Sequence, residues 1–129
     1  MLVDTSAWVE YLRATGSHGD RAITAAIRKG SDILVPDVVR LELLAGAVDE
    51  AAAHDLRRLL ARCTAVPAAS PADHDVAAAL YRAARRSGRT VRSLLDCLVA
   101  AMALRVEAPV LARDRDFEVL AEVSPLRLV

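Results

Sequence analysis

Three features of the sequence predict an α/β fold with a central, mainly parallel sheet. Very short apolar runs recur along the chain: Leu2-Val3, Ile33-Leu34-Val35, Thr64-Ala65-Val66 and Pro109-Val110-Leu111. Segments with helical periodicity separate them. Pro, Gly or Ser-Gly marks most of the junctions. A last run, Leu126-Arg127-Leu128, brings the expected sheet to about five strands flanked by helices. Residues 1–129 read as a single domain, without an internal repeat, a low-complexity tract or a linker.

The elements follow in order. Leu2-Val3 is a strand ending at Asp4. Trp8, Tyr11 and Leu12 recur at i, i+3 and i+4, which is one helix face, and Gly16 stops that helix. A helix from about Asp20 to Lys29 is closed by Gly30. The second strand is cut off by Pro36, and Asp37 is a good N-cap for a helix carrying Val38, Val39, Leu41 and Leu44. Another helix runs from about Glu50 to Arg62 before the third strand. The stretch from Pro67 to Pro71 is a loop, and a long helix from about Ala72 to Arg86 is broken at Ser87-Gly88. Ser93 begins a helix to about Arg105. The fourth strand and a short helix from Asp114 to Ala121 complete the alternation.

Composition narrows the functional classes. Hydrophobic residues make up 54% of the chain and mean hydropathy is +0.28, which excludes a disordered polymer. Aromatics are 3%, so the core must be built from Ala, Val and Leu. Trp8 reads as core. Seventeen basic and 17 acidic residues cancel, so any nucleic-acid binding must come from a local patch. Lys29 is the only Lys; the Arg excess fits phosphate recognition and equally the codon usage of a GC-rich genome. Cys63 and Cys97 are isolated and the three His lack zinc-ligand spacing, which suits reduced thiols in the cytoplasm. Neither a signal peptide nor a membrane-spanning run is expected, so no membrane partner is foreseen.

Four acids fall where an open α/β sheet binds ligands, outside the carboxyl ends of its strands. Asp4 follows the first strand, Glu42 lies one turn into the helix after the second, Asp96 opens the Ser93 helix, and Asp114 follows the fourth strand. Crowded carboxylates repel one another unless a cation joins them, and oxygen-only ligands suit Mg²⁺ or Mn²⁺. Such a centre activates water against a phosphodiester. Thr5 and Ser6 add hydroxyls nearby. Taken singly, each acid also has a simpler reading. Asp4 caps a helix, Asp96 completes a capping box with Ser93, Glu42 faces solvent, and Asp114 and Asp116 form a solvated turn.

The segments L2-V-D-T-S-A-W8, V35-P-D-V-V-R-L-E-L-L-A-G46, S93-L-L-D-C-L-V-A-A-M-A103 and V110-L-A-R-D-R-D-F117 resemble PIN-domain ribonucleases of the VapC type, the toxins of bacterial VapBC toxin–antitoxin pairs. The resemblance spans essentially the whole chain, with the motifs in the family's order. It implies a PIN fold and a metal-dependent endoribonuclease. It further implies catalytic acids at Asp4, Glu42, Asp96 and Asp114, and metal contacts from Asp4, Asp96, Asp114 and the additional acid Asp116. RNA as substrate, a VapB-type antitoxin and a homodimer are implied as partners. One position departs: Ala112 stands where many relatives carry Thr or Ser.

Arg82, Arg85, Arg86, Arg89 and Arg92 form a basic stretch before the Asp96 helix, and Arg113 and Arg115 flank Asp114. Thr5, Ser6, Arg92 and Arg113 are the candidate substrate contacts. The Arg stretch reads either as an RNA backbone track or as a solvated helix end. Two other functions compete with the nuclease. A non-catalytic PIN-like module binding RNA or protein is disfavoured by retention of all four acids. A phosphoacceptor receiver domain is disfavoured because Asp4 stands alone after its strand and Lys29 is far from the last strand.

Overall fold

A computed structural model of the chain describes residues 1–129. Four strands, β1 (Leu2–Val3), β2 (Leu34–Pro36), β3 (Thr64–Val66) and β4 (Val110–Leu111), alternate with seven helices. The helices are α1 (Thr5–Leu12), α2 (His18–Lys29), α3 (Asp37–Ala45), α4 (Glu50–Leu60), α5 (Ala72–Arg86), α6 (Leu94–Arg105) and α7 (Asp116–Glu122). All strand pairs are parallel and the order is β3-β2-β1-β4. The expected α/β class and parallel sheet are therefore observed.

The fifth strand is a correction. Leu128 makes only an isolated parallel bridge to Val110, supported by the Val110 N–H donating to Arg127 O and the Val129 N–H to Val110 O, both at 2.9 Å. β4 is two residues long, which leaves the final run too short an edge for a ladder.

Most helix boundaries follow local chemistry. Ser17, Asp49 and Ser93 cap α2, α4 and α6 with side-chain oxygens, and Gly30 ends α2 in the left-handed conformation at φ +64°. Asp37 is not the N-cap of α3 but its first residue. Its carboxylate accepts the Val38 N–H at 2.8 Å and the Ala68 N–H at 3.0 Å, tying α3 to the loop before α5. α7 starts at Asp116 rather than Asp114, because Asp114 and Arg115 form the turn that leads into it.

A single hydrophobic cluster of 29 residues fills the layers between sheet and helices. It contains Trp8, fully buried and edge-to-face with Tyr11 at 5.8 Å. α5 and α6 pack extensively against each other, and both bury small residues, Ala77 and Ala84 on α5 and Ala100, Ala101 and Ala103 on α6. α6 is apolar on nearly every side and is buried over most of Cys97 to Ala103, while Leu94 and Leu95 in its first turn stay exposed. No helix is long and apolar enough to cross a membrane.

Candidate active site

β1 has β2 on one side and β4 on the other. The chain order therefore reverses between β1 and β4, and a crevice opens beyond the carboxyl ends of these two strands. Asp4 leaves β1 directly into it, and Asp114 lies in the turn after β4. Helix α6 brings Asp96 to the same place. One oxygen from each of Asp96, Asp114 and Asp116 lies within 4.8 Å of the others.

Asp4 is 4% exposed and performs two tasks. It caps α1, as the simple reading requires, with Oδ2 accepting the Ser6 N–H at 2.9 Å and the Ser6 hydroxyl at 2.6 Å. It also joins the acid cluster electrostatically. Burial raises its carboxyl above the usual range, the Ser6 and Thr5 hydrogen bonds pull the other way, and the charge of Asp114 adds to the rise. Ser6 in turn accepts the Arg113 N–H at 2.9 Å and the Asp114 N–H at 3.4 Å. One hydroxyl thus laces the end of β1 to the turn after β4.

Asp96 is the most perturbed acid. Burial first, then the charges of Asp4, Asp114 and Asp116, push its carboxyl up to about 7. Its Oδ2 is buried and has no hydrogen-bond partner. The capping-box alternative fails in half: the Asp96 N–H donates to Ser93 Oγ at 3.3 Å, but the Ser93 N–H donates to Asp116 Oδ2 at 3.2 Å. An unpaired buried oxygen beside three further acids, in an all-oxygen donor set, fits a hard divalent cation. Cys97, next in the chain, is buried; burial and then the charges of Asp96 and Asp116 push its thiol up to about 11, so it is no nucleophile at neutral pH.

Glu42 stands apart from the three-aspartate cluster. It is half-buried on α3, and its Oε1 accepts the Thr5 hydroxyl at 2.8 Å, which attaches it to the residue after Asp4. Ala112 packs against the hydrophobic core. Thr5 and Ser6 both direct their single hydroxyl proton to a carboxylate.

A PIN-domain family model matches residues 1–123. Ribonuclease VapC11 of Mycobacterium tuberculosis is 41% identical over 128 residues, covering 98% of this chain and 96% of that protein. This chain is a PIN-domain protein of the VapC ribonuclease family. A VapC ribonuclease of Mycobacterium bovis has the same identity and coverage. Among solved structures, VapBC2 from Rickettsia felis bound to a promoter DNA fragment superposes with a TM-score of 0.78 at 16% identity, over 99% of this chain and 96% of that one. VapBC-1 from nontypeable Haemophilus influenzae gives 0.77 at 14% identity, over 99% and 95%. These two likenesses establish the shared PIN fold.

The rim of this VapC-family site is basic. Ser6, Arg92, Arg113, Asp114 and Arg115 line one open cleft. Arg92 lies 3.4 Å from Asp114 Oδ1 and 3.6 Å from Asp116 Oδ1. The Arg113 guanidinium is anchored on Glu10. Glu10 is 6% exposed and also accepts the Thr15 hydroxyl at 2.7 Å; that bond first, and Arg113 next, hold its carboxyl below the usual range. Glu10 is not among the candidate residues that the sequence marks. The available signal was its i+4 spacing from Ser6, which puts both on one face of α1. Of the remaining basic stretch, Arg89 pairs with Glu122 at 2.7 Å and Arg85 lies over Tyr81 at 6.0 Å. Arg82 and Arg86 point to solvent from α5.

Proposed function

We propose that this protein is a divalent-cation-dependent endoribonuclease, the toxin of a type II toxin–antitoxin pair. The observation that carries the reading is the Asp96 carboxylate, with one buried oxygen unpaired and three acids around it. A chain does not gather same-sign charge at a sheet switch point for stability, since the arrangement costs free energy until a cation is present. Asp4, Asp96 and Asp114 would hold Mg²⁺ or Mn²⁺, with Asp116 beside them. When bound, the cation supplies positive charge that activates water and stabilises the oxygen leaving the phosphodiester.

The protein's own groups do the rest. Arg92, Arg113 and Arg115 receive RNA phosphates at the cleft rim, giving affinity with little sequence information. Thr5 holds Glu42, and Ser6 holds Asp4 and the Asp114 turn, so both hydroxyls act on the substrate through the acids they orient. Glu42, tied through Thr5 to the residue after Asp4 and lying outside the three-aspartate cluster, would steer water or substrate rather than hold the cation. The family further supports a VapB-type antitoxin as partner, a homodimer as the working unit and the cytoplasm as its place of action.

Cleavage of a labelled, unstructured RNA tests the reading, comparing the wild type with Asp4→Asn and Asp96→Asn in Mg²⁺ or Mn²⁺. Cutting by the wild type alone, abolished by EDTA, is expected. Equal cutting by all three proteins, or cutting that survives EDTA, would overturn it. Binding of RNA without cutting under these conditions would favour the non-catalytic module.

A further inference from the structure

We infer that Asp116 is a positioning residue that aims Asp96 and Asp114 into the site, rather than one more equivalent acid. The inference rests on the cation-site reading above. Asp116 is 3% exposed, the most deeply buried of the clustered acids. Its carboxylate is already occupied. Oδ2 accepts the Arg92 N–H at 2.8 Å and the Ser93 N–H at 3.2 Å, and Oδ1 faces the Arg92 guanidinium at 3.6 Å. Its own backbone N–H donates to Asp114 Oδ1 at 3.0 Å. A single residue thus holds the segment before α6 with its side chain and the neighbouring acid with its main chain.

The consequence for Asp96 follows from helix-capping chemistry. In a Ser-x-x-acid capping box, the acid's carboxylate turns back to accept the N–H of the capping Ser. Ser93-Leu94-Leu95-Asp96 has that pattern, and Ser93 does cap α6. The N–H that Asp96 would take is instead taken by Asp116, from 23 residues away. Asp96 is left with an oxygen that finds no donor within the protein. Asp116 therefore converts a stabilising cap into a ligand. Without its carboxylate, the Ser93 N–H becomes free and Asp96 can fold back onto it, away from Asp4 and Asp114.

Asn at position 116 keeps an oxygen that accepts both N–H groups but loses the charge; Ala loses both. Mn²⁺ is titrated calorimetrically into metal-free wild type, Asp116→Asn, Asp116→Ala and Asp96→Asn, and hydrogen exchange of the Arg92 and Ser93 amides is followed in the same four proteins. Asp116→Asn is expected to keep both amides protected and to bind Mn²⁺ within about tenfold of wild type. Asp116→Ala is expected to lose protection at both amides and about 10- to 100-fold in affinity, the range found when groups that orient metal ligands are removed. Asp96→Asn should lose affinity while its amides stay protected. The inference is overturned if Asp116→Asn loses as much affinity as Asp96→Asn with its amides still protected, since Asp116 would then be a ligand. Wild-type affinity in Asp116→Ala overturns it as well. Should the Ala variant fail to fold, the Asn comparison alone decides. Wild-type protein that binds Mn²⁺ but cuts no RNA refutes the nuclease reading and leaves this comparison intact; wild-type protein that binds no Mn²⁺ refutes both.

Discussion

Two buried aspartates at separate places in the molecule behave in opposite ways. Asp73, on α5, is 2% exposed and Asp4, after β1, is 4% exposed. Asp73 has a resident cation. Arg105 Nε lies 3.0 and 3.1 Å from its two oxygens, the Ala69 N–H adds a hydrogen bond at 2.8 Å, and Arg105 continues to Pro67 O at 2.8 Å. Burial alone would raise the Asp73 carboxyl, yet Arg105 and Ala69 hold it below the usual range. Asp4 and its neighbour Asp96 have other acids around them and are pushed up. A buried acid whose counter-charge is built into the chain is structural. A buried acid whose counter-charge must come from outside marks a site.

The sharpest way to break this contrast is to neutralise one acid of each kind. Asp96→Asn is expected to lower kcat/KM for RNA cleavage by at least about a hundredfold, equivalent to roughly 3 kcal/mol of transition-state stabilisation, while the thermal unfolding temperature is kept or raised. Steady-state cleavage and a melting curve on one preparation decide the matter, and a variant that cuts normally removes Asp96 from the chemistry.

Asp73→Ala should show the reverse. Breaking a buried ion pair by deleting one partner costs about 3–5 kcal/mol. Arg105 retains some solvent contact, so a loss of about 2–3 kcal/mol in urea unfolding is expected, with cleavage per folded molecule unchanged. A stable Asp73→Ala protein would show that Arg105 contributes little to the fold.

The pH dependence of stability separates the two regions by sign. The Asp96 carboxyl is raised in the folded state, so the folded protein binds its proton more tightly than the unfolded chain does. The stability it contributes is full below the unfolded value near 3.8 and is lost as pH rises through about 7. Metal-free protein should therefore lose about 1–2 kcal/mol between pH 5 and 8, allowing for the solvent that screens this half-buried group. Asp96→Asn should flatten that slope, as should added Mn²⁺. The lowered Asp73 carboxyl contributes above its unfolded value instead, and its share is lost only as pH falls below about 4. Unfolding midpoints across this range, with and without Mn²⁺, test both signs; a metal-free protein most stable at pH 8 contradicts the first.

The smallest effect expected concerns Glu42. Thr5→Ala removes the hydroxyl that holds Oε1 and should lower cleavage by a few-fold, about 1 kcal/mol. Thr5→Ser, which keeps the hydroxyl, should restore it. Loss in both variants would assign the defect to α1 rather than to Glu42.

Local patterns and family motifs made much of the molecule legible in the chain itself. Apolar runs, helical spacing and capping residues are decided within a few positions, so the four strands, the start of α5 at Ala72 and the Gly30 cap could be read directly, except that β2 runs one residue further than expected and takes in Pro36, which pairs with Val66. The chain order of the acids marked Asp4, Glu42, Asp96 and Asp114 together. Only the tertiary structure decided how they meet. The order β3-β2-β1-β4 sets the ends of β1 and β4 side by side. Ser6 reaches Arg113 across 107 residues, Glu10 anchors the same arginine, and Asp116 takes the N–H that Asp96 would have used. A short-range pattern could not rank those choices. At Ser93 the local partner and the distant one offer the same hydrogen bond, and the packing of α7 beside α6 selected the distant one.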